Sequence, residues 1–297
     1  MGTSPKLAVL GLGTMGRAMA GSALRSGIPT VVWNREPGAA AQMADRGAEV
    51  APSAAEAVKE VDVVITMVTD TAAVTSIAVD LGVLEALPSG AVWAQMSTIG
   101  VEGTAAVSSL VERERADVLF LDAPVSGSKV PAEQGKLVVF ASGPEQARPI
   151  VEPVFDAIGQ RTVWLGPIGA GSRMKLVNNT LLAFSAEGVA NSFALALRLG
   201  LNARSVLDAF EGGPLISPWS AGKMARMARN DYSPEFPLAL ALKDVHLALE
   251  EADPEHFAVL ASLAREWDHL AGQGLGSEDV TVVTRALQSE AEPDHRR

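Results

Sequence analysis

Two groups of residues in this 297-residue chain have the types and spacing for chemistry. The first is Gly11-Leu12-Gly13-Thr14-Met15-Gly16. It follows a short apolar run at 6–10 and precedes apolar residues at helical spacing as far as Gly27, a plausible helix terminator. Strand, glycine turn and helix in that order suit a dinucleotide. Gly11 permits the tight turn, Gly13 lets a pyrophosphate approach the backbone, and Gly16 lets the helix pack closely on the strand. The helix N-terminus then offers unpaired N–H groups to the phosphates. The second group is Lys175 with Asn179, in an Ala- and Leu-rich stretch at 172–199. Residues i and i+4 share a helix face. A buried lysine can exchange a proton near neutral pH, and an amide beside it can hold a substrate oxygen. A lysine at a helix start can equally snorkel to solvent, and spacing does not choose between the two.

The end of the second expected strand, 30–33, is where the adenosine ribose is read. NAD sites usually place Asp or Glu there, about 20 residues beyond the glycines, against the 2′-hydroxyl. Here Asn34 and Arg35 occupy the position. A neutral amide and a guanidinium suit a 2′-phosphate, so NADP is expected over NAD. The alternative leaves Arg35 as a surface arginine and gives the acidic role to Glu36.

The apolar pattern supplies the elements that must position these groups. Strands are expected at 6–10, 30–33, 61–68, 91–96, 118–121, 136–141 and 162–165, alternating with helices at 37–46, 53–59, from 71, at 101–115 and at 144–158. That alternation implies an α/β fold with a mostly parallel, doubly wound, Rossmann-type sheet. Ligands on such sheets lie beyond the carboxyl ends of the strands, so Met67, Val68, Thr69 and Asp70, with Ser97 and Thr98, should border the cofactor. After residue 166 the β-rich runs stop. The expected organisation is an NADP-binding domain at 1–166 and an all-helical substrate and dimerisation domain at 167–297. The first helix of the latter, 172–199, is apolar except for Lys175, Asn178, Asn179, Glu187 and Asn191, and is expected to be largely buried between domains or subunits. Helices at 203–210, 220–228, 238–251, 257–271 and 279–288 follow, then a polar tail at 289–297 expected to fray.

Composition narrows the classes. With 48% hydrophobic and 20% charged residues the chain reads as globular, and at roughly 150 residues per domain it suggests two domains. There is no cysteine, which excludes disulfides, Cys-ligated zinc, iron–sulfur clusters and thiol nucleophiles. The net charge of −11 is spread over both halves, and without a basic stripe no nucleic-acid partner is expected. Apolar runs such as 61–68 fall short of the roughly 18 residues of a membrane span, so a soluble, cytoplasmic protein is expected. Lys6 and the later Ala18-Met19-Ala20 could pass for a secretory leader, but strand, glycine turn and helix account for them better. His246 and Glu250 make a two-ligand pattern without a third, so no metal is expected. His256, His269 and His295 lie in polar contexts. Trp219, Trp267, Met224 and Met227 are expected in the core or at an interface.

These residues bring a family into view. From residue 6 to about 288 the chain resembles the β-hydroxyacid dehydrogenases, on four blocks: the 11–16 glycine run; Asp122-Ala123-Pro124-Val125-Ser126-Gly127-Ser128; Gly169-Ala170-Gly171-Ser172-Arg173-Met174-Lys175-Leu176-Val177-Asn178-Asn179; and Lys243-Asp244. The resemblance implies that Lys175 and Asn179 are catalytic. It also implies that Ser126, Gly127 and Ser128 bind the substrate carboxylate, that Lys243 lies near the nicotinamide with Asp244 orienting it, and that Phe236 closes the apolar side. The stretches 125–133, 32–35 and 236–238 are similar to the glyoxylate and succinic semialdehyde reductase branch. Ser128, in place of the second of two glycines, favours that branch over 3-hydroxyisobutyrate dehydrogenases, whereas Val130 stands where the branch more often has lysine. The implied partners are a small anionic carbonyl substrate and a second copy of the chain. Three alternatives stay open: a 3-hydroxyisobutyrate-type dehydrogenase; an imine reductase, which usually has Asp or Tyr in place of Lys175; and a non-catalytic dinucleotide-binding module, which would lose the lysine or gain a basic extension.

Overall fold

The computed structural model describes residues 4–289, so the expected frayed tail lies, from 290 on, outside the described residues. Within them the chain forms two compact units that divide after Lys175.

The first unit alternates strand and helix. Its elements are β1 (Leu7–Leu10), α1 (Thr14–Arg25), β2 (Thr30–Trp33), α2 (Pro37–Ala44), β3 (Glu49–Val50), α3 (Ala54–Val58), β4 (Val63–Thr66), α4 (Thr71–Ala78), α5 (Val83–Ala86), β5 (Val92–Gln95), α6 (Gly100–Glu114) and β6 (Leu119–Asp122). Six strands form a parallel sheet in the order β3-β2-β1-β4-β5-β6, the doubly wound arrangement expected from the alternation. Side chains alternate across a strand, so Leu7 and Val9 pack on one face, with Met19, Ala23 and Phe155, while Ala8 and Leu10 pack on the other, with Val58, Val74 and Val107. Both faces are covered, which is why the strands read as continuous apolar runs. At the end of α1, Gly27 has φ +78 and donates its N–H to the Leu24 carbonyl, the expected helix stop.

After β6 the chain leaves this sheet. β7 (Val125–Ser126) and α7 (Lys129–Glu133) lead to β8 (Leu137–Ala141), α8 (Arg148–Ile158) and β9 (Gly159–Trp164). The last expected strands therefore belong to a separate sheet, β7-β8-β9, in which β7 runs antiparallel to β8. The reversal has a local cause: Asp122 and Ser142 exchange both backbone hydrogen bonds, at 3.0 and 2.8 Å, which turns β8 back against the end of β6. Neither β3 nor β7 was expected, since two residues are too few to show a period.

The long helix α9 (Ala170–Arg198) begins in the first unit, and its remainder opens the second. Followed by α10 (Ala203–Phe210), α11 (Pro218–Ala228), α12 (Leu238–Glu250), α13 (Ala258–Gly272) and α14 (Val283–Ser289), it makes an all-helical unit. Trp267, on α13, is fully buried and donates its indole N–H to Glu187 Oε2 at 2.9 Å; Met224 and Met227 on α11 are buried as well. Within one chain α9 is only partly buried, so its expected burial is incomplete without a partner surface. Its apolar residues exceed what one face can bury, and Val177 (65%), Leu181 (68%) and Phe184 (37%) remain exposed at helical spacing.

Burial also produces an ion pair that the sequence did not signal. Lys223 on α11 is 3% exposed, and its ammonium lies 2.9 Å from both oxygens of Asp279, itself 0% exposed. Asp279 Oδ2 also accepts the N–H groups of Glu235 and Phe236, each at 3.0 Å, so this pair shapes the 235–236 segment. Burial alone would raise the Asp279 carboxyl, but those amides and the Lys223 ammonium outweigh it and hold it below the ordinary carboxylate value. Such a group contributes stability that is complete above its unfolded pKa and is lost as pH falls through its folded one. Replacing Lys223 with Met leaves a buried carboxylate without its cation, and the expected cost is about 3–5 kcal/mol in urea unfolding at neutral pH. A loss below about 1 kcal/mol would show that the backbone donors alone suffice.

Candidate active site

The glycine turn connects β1 to α1, and each glycine in it meets a different constraint. Gly11 has φ +96, and a Cβ there would stand 2.4 Å from the Met67 carbonyl oxygen and 2.8 Å from Val68 Cγ1. A Cβ at Gly16 would lie 1.9 Å from the Gly11 carbonyl oxygen. At Gly13, the N-cap of α1, a Cβ would meet nothing within 4 Å. No side chain caps α1, and its first turn carries no acidic residue. The residues thus fit a dinucleotide: two glycines close the turn, and the third leaves a space beside unpaired amides where a pyrophosphate would lie.

The other expected cofactor residues gather at the same edge of the sheet. The N–H of Leu12 donates to Asn34 Oδ1 at 2.9 Å, and Asn34 Nδ2 donates to the Glu36 carbonyl at 3.0 Å. Asn34 therefore braces the glycine turn against the end of β2, while Arg35 beside it is exposed. Met67 and Val68 follow β4, and Val68 N–H donates to Ser97 Oγ at 2.9 Å, which joins that loop to the one carrying Thr98.

The second cluster in this unit surrounds Lys175. Its ammonium donates to the Val125 carbonyl at 2.7 Å, so it is held at the entry of the Ser126-Gly127-Ser128 turn rather than directed away into solvent. Gly127 has φ +126, and a Cβ on it would approach Leu137 Cδ2 to 2.7 Å, so glycine is required there. Ser126 and Ser128 are half-buried beside it.

The lysine's helix is anchored by residues absent from the expected site. Asp122, at the end of β6, is 0% exposed. Its Oδ2 accepts the Ser172 N–H at 2.8 Å and the Ser142 hydroxyl at 3.1 Å, and its Oδ1 accepts the Ser172 hydroxyl at 2.8 Å. Ser142 Oγ in turn accepts the Gly171 N–H at 3.0 Å. Burial pushes the Asp122 carboxyl above its ordinary value, while the Ser172, Ser142 and Gly169 donors pull it back. These bonds tie the start of α9 to the first unit and explain why the division falls after Lys175, inside the helix, rather than at the change in composition near 166.

The remaining expected residues lie in the second unit. Asn179 is buried, its Nδ2 bonded to Asp244 Oδ2 and its Oδ1 accepting from Asn178 Nδ2 at 2.9 Å. Lys243 Nζ lies 2.7 Å from Asp244 Oδ1, so Asn179, Asp244 and Lys243 form one chain of contacts. Phe236 is half-buried on the segment that Asp279 holds. His246, half of the two-ligand pattern, pairs instead with Asp268 at 3.0 Å. Asp122 stood in view at a strand end. Nothing in the local pattern marked the Ser142–Asp122 or Lys223–Asp279 contacts, which span 20 and 56 residues.

Known proteins share the fold of both parts of the chain. Residues 6–166 match the NAD binding domain of 6-phosphogluconate dehydrogenase, and residues 169–287 match the NAD-binding domain of NADP-dependent 3-hydroxyisobutyrate dehydrogenase. Glyoxylate/succinic semialdehyde reductase 1 of Arabidopsis thaliana is 33% identical over 94% of this chain and 97% of its own length. Among solved structures, the 3-hydroxyisobutyrate dehydrogenase of Salmonella typhimurium is 27% identical with a TM-score of 0.86, covering 95% of this chain and 99% of its own. That of Mycobacterium tuberculosis is 30% identical with a TM-score of 0.82, covering 96% and 100%. Fold and glycine turn define an NAD(P)-dependent oxidoreductase. The chain belongs to the β-hydroxyacid dehydrogenase family.

The glycines generate a paired prediction. Gly16→Ala forces a backbone clash, and its thermal unfolding should reflect a loss of about 3 kcal/mol or more. Gly13→Ala should unfold like the parent but bind NADPH at least about tenfold more weakly by fluorescence titration, since its methyl occupies the phosphate's place. Equal behaviour of the two variants would contradict the division of roles.

Proposed function

We propose that this protein reduces a short carboxy-aldehyde or keto acid, of the glyoxylate or succinic semialdehyde type, with NADPH, or runs the reverse oxidation of the hydroxy acid. The observation that carries the reading is the Lys175 ammonium at the Val125 carbonyl, beside the Ser126-Gly127-Ser128 turn.

Reduction of a carbonyl adds a hydride to carbon and a proton to oxygen. The dinucleotide, when bound, supplies the hydride. The chain's own residues do the rest. The hydroxyl of Ser126 and the donors of Gly127 and Ser128 receive the substrate carboxylate, as a turn of small residues can. That orients the substrate with its carbonyl oxygen towards Lys175. As negative charge develops on that oxygen, the Lys175 ammonium first stabilises it and then transfers a proton. In the oxidative direction the neutral amine takes the proton back. Asn179, one turn along the same helix, fixes the substrate oxygen. Asp244 holds the Asn179 amide and pairs with Lys243, and the family resemblance assigns Lys243 to the nicotinamide and Phe236 to the apolar side of the substrate.

NADP is favoured over NAD because exposed Arg35, with no acidic residue at 34 or 35, suits a 2′-phosphate. The match of 169–287 to an NADP-dependent family supports the same choice. The name of the Arabidopsis relative supports the substrate class, and Ser128 favours that branch. A second reading, 3-hydroxyisobutyrate oxidation, is supported by the names of the Salmonella and Mycobacterium structures. We place the protein in the cytoplasm as a homodimer or a dimer-based oligomer, consistent with the exposed stripe of Val177, Leu181 and Phe184.

The deciding assay is steady-state oxidation of NADPH and NADH with glyoxylate, succinic semialdehyde and cyclic imines, alongside NADP reduction with 3-hydroxyisobutyrate. NADPH should be preferred with an aldehyde acid, and Arg35→Asp should reduce that preference. Lys175→Ala should lower kcat by a factor on the order of 10³ while cofactor binding stays near the parent value. Unchanged turnover in that variant would remove the mechanism, and activity only with imines would remove the substrate class.

A further inference from the structure

A lysine carries its charge on a flexible four-carbon stem, so a useful ammonium must be fixed at both ends. At the tip, Lys175 Nζ is bonded to the Val125 carbonyl. The base is fixed by Asp122. The main-chain N–H and C=O of Asp122 are both paired with Ser142, so its carboxylate projects from a rigid strand end. The Ser172 hydroxyl donates to Asp122 Oδ1, which leaves the Thr104 hydroxyl, 2.8 Å away, to donate to Ser172. The donors thus run in one direction, from Thr104 through Ser172 to the carboxylate.

The helix packs closely against the sheet at this point. A Cβ on Gly171 would stand 2.4 Å from the Phe140 carbonyl oxygen and 2.8 Å from that of Asp122. Backbone therefore lies against backbone one turn before Lys175, and any shift of the helix start would break the Asp122 contacts. Val125, which holds the tip, lies three residues after Asp122 in the chain. The residue that fixes the base of the lysine therefore lies close in the chain to the one that holds its tip. No salt bridge to Asp122 occurs among the described residues, and its contacts there are neutral donors aimed from the start of α9 and from Ser142.

We propose that Asp122 is a positioning residue for the reaction: through Ser172 and Ser142 it locks the first turn of α9, and so sets the Lys175 ammonium at the Ser126-Gly127-Ser128 turn. The inference rests on the assignment of Lys175 as proton donor. Asp122→Asn keeps the shape but replaces one acceptor oxygen with a donor, facing groups that are themselves donors. Ser172→Ala removes one contact and keeps the backbone N–H bond.

The test is a double-mutant cycle in kcat on the full-length protein, with the dissociation constant for NADPH and the thermal midpoint measured for each variant. Asp122→Asn should lower kcat by about tenfold or more and Ser172→Ala by about threefold, both with NADPH affinity within about twofold of the parent. In the Lys175→Ala background, which has lost the group being positioned, the same substitutions should change the residual rate by less than about twofold. If Asp122→Asn fails to fold, Ser172→Ala and Ser142→Ala carry the cycle. Losses that multiply with that of Lys175→Ala would overturn the inference and leave Asp122 a purely structural group. Parent-like kcat in folded Asp122→Asn or in Ser172→Ala would overturn it too, while leaving the role of Lys175 intact. Full turnover in Lys175→Ala alone would overturn the underlying mechanism, a result distinct from either.

Discussion

The carboxylate of Asp122 sits where three parts of the first unit converge: the end of the parallel sheet, the start of the smaller sheet and the first turn of α9. A helix N-terminus leaves four N–H groups without partners, and a buried one must find acceptors nearby. Asp122 and Ser142 provide them, and the favourable interaction of a negative group with the positive end of the helix adds to the bonds. The contact is possible only because Gly171 presents no side chain. From this junction the chain continues as α9 into the helical unit, so the helix that carries Lys175 and Asn179 takes its starting point from the sheet.

Asp122 in the first unit and Asp279 in the second are buried carboxylates that each organise a segment with candidate site residues, and the two are compensated differently. Asp279 faces the Lys223 ammonium, which with two backbone amides holds its carboxyl below the ordinary value, and it shapes the backbone that carries Phe236. Asp122 has neutral donors, and burial raises its carboxyl. A cation at Asp122 would stand close to the lysine proposed to hold the developing oxyanion. Neutral donors avoid adding a second positive charge there, at the cost of a less firmly ionised acid.

The sequence discloses those features whose cause is local. Glycines at 11, 13 and 16 are legible because their spacing sits between an apolar strand and a helix, and the parallel sheet because its strands are apolar on both faces. The lysine at 175 and the asparagine at 179 could be paired by helical period alone. Contacts made across long separations were out of reach. The bond from the Leu12 N–H to the Asn34 side-chain oxygen is one of these, since only the approach of β1 to β2 brings the two together. Lys223 occupies an unremarkable position in an amphipathic helix until Asp279, 56 residues later, closes on it. The strand pairs beyond β6 were assigned to one sheet because apolar runs do not record which neighbour they take. Apolar content likewise marks α9 as a helix with much to bury, but period shows a stripe and not what covers it.

The contrast between Gly13 and Gly16 bears on how such a fold can diverge. Gly16 is demanded by a carbonyl of the chain itself, so every descendant that keeps this turn must keep it, whatever the protein comes to do. Gly13 answers only to a guest molecule. A lineage that stopped using the dinucleotide would be released at 13 and still bound at 16, so the pattern of change at these two positions separates inheritance of the architecture from inheritance of the chemistry.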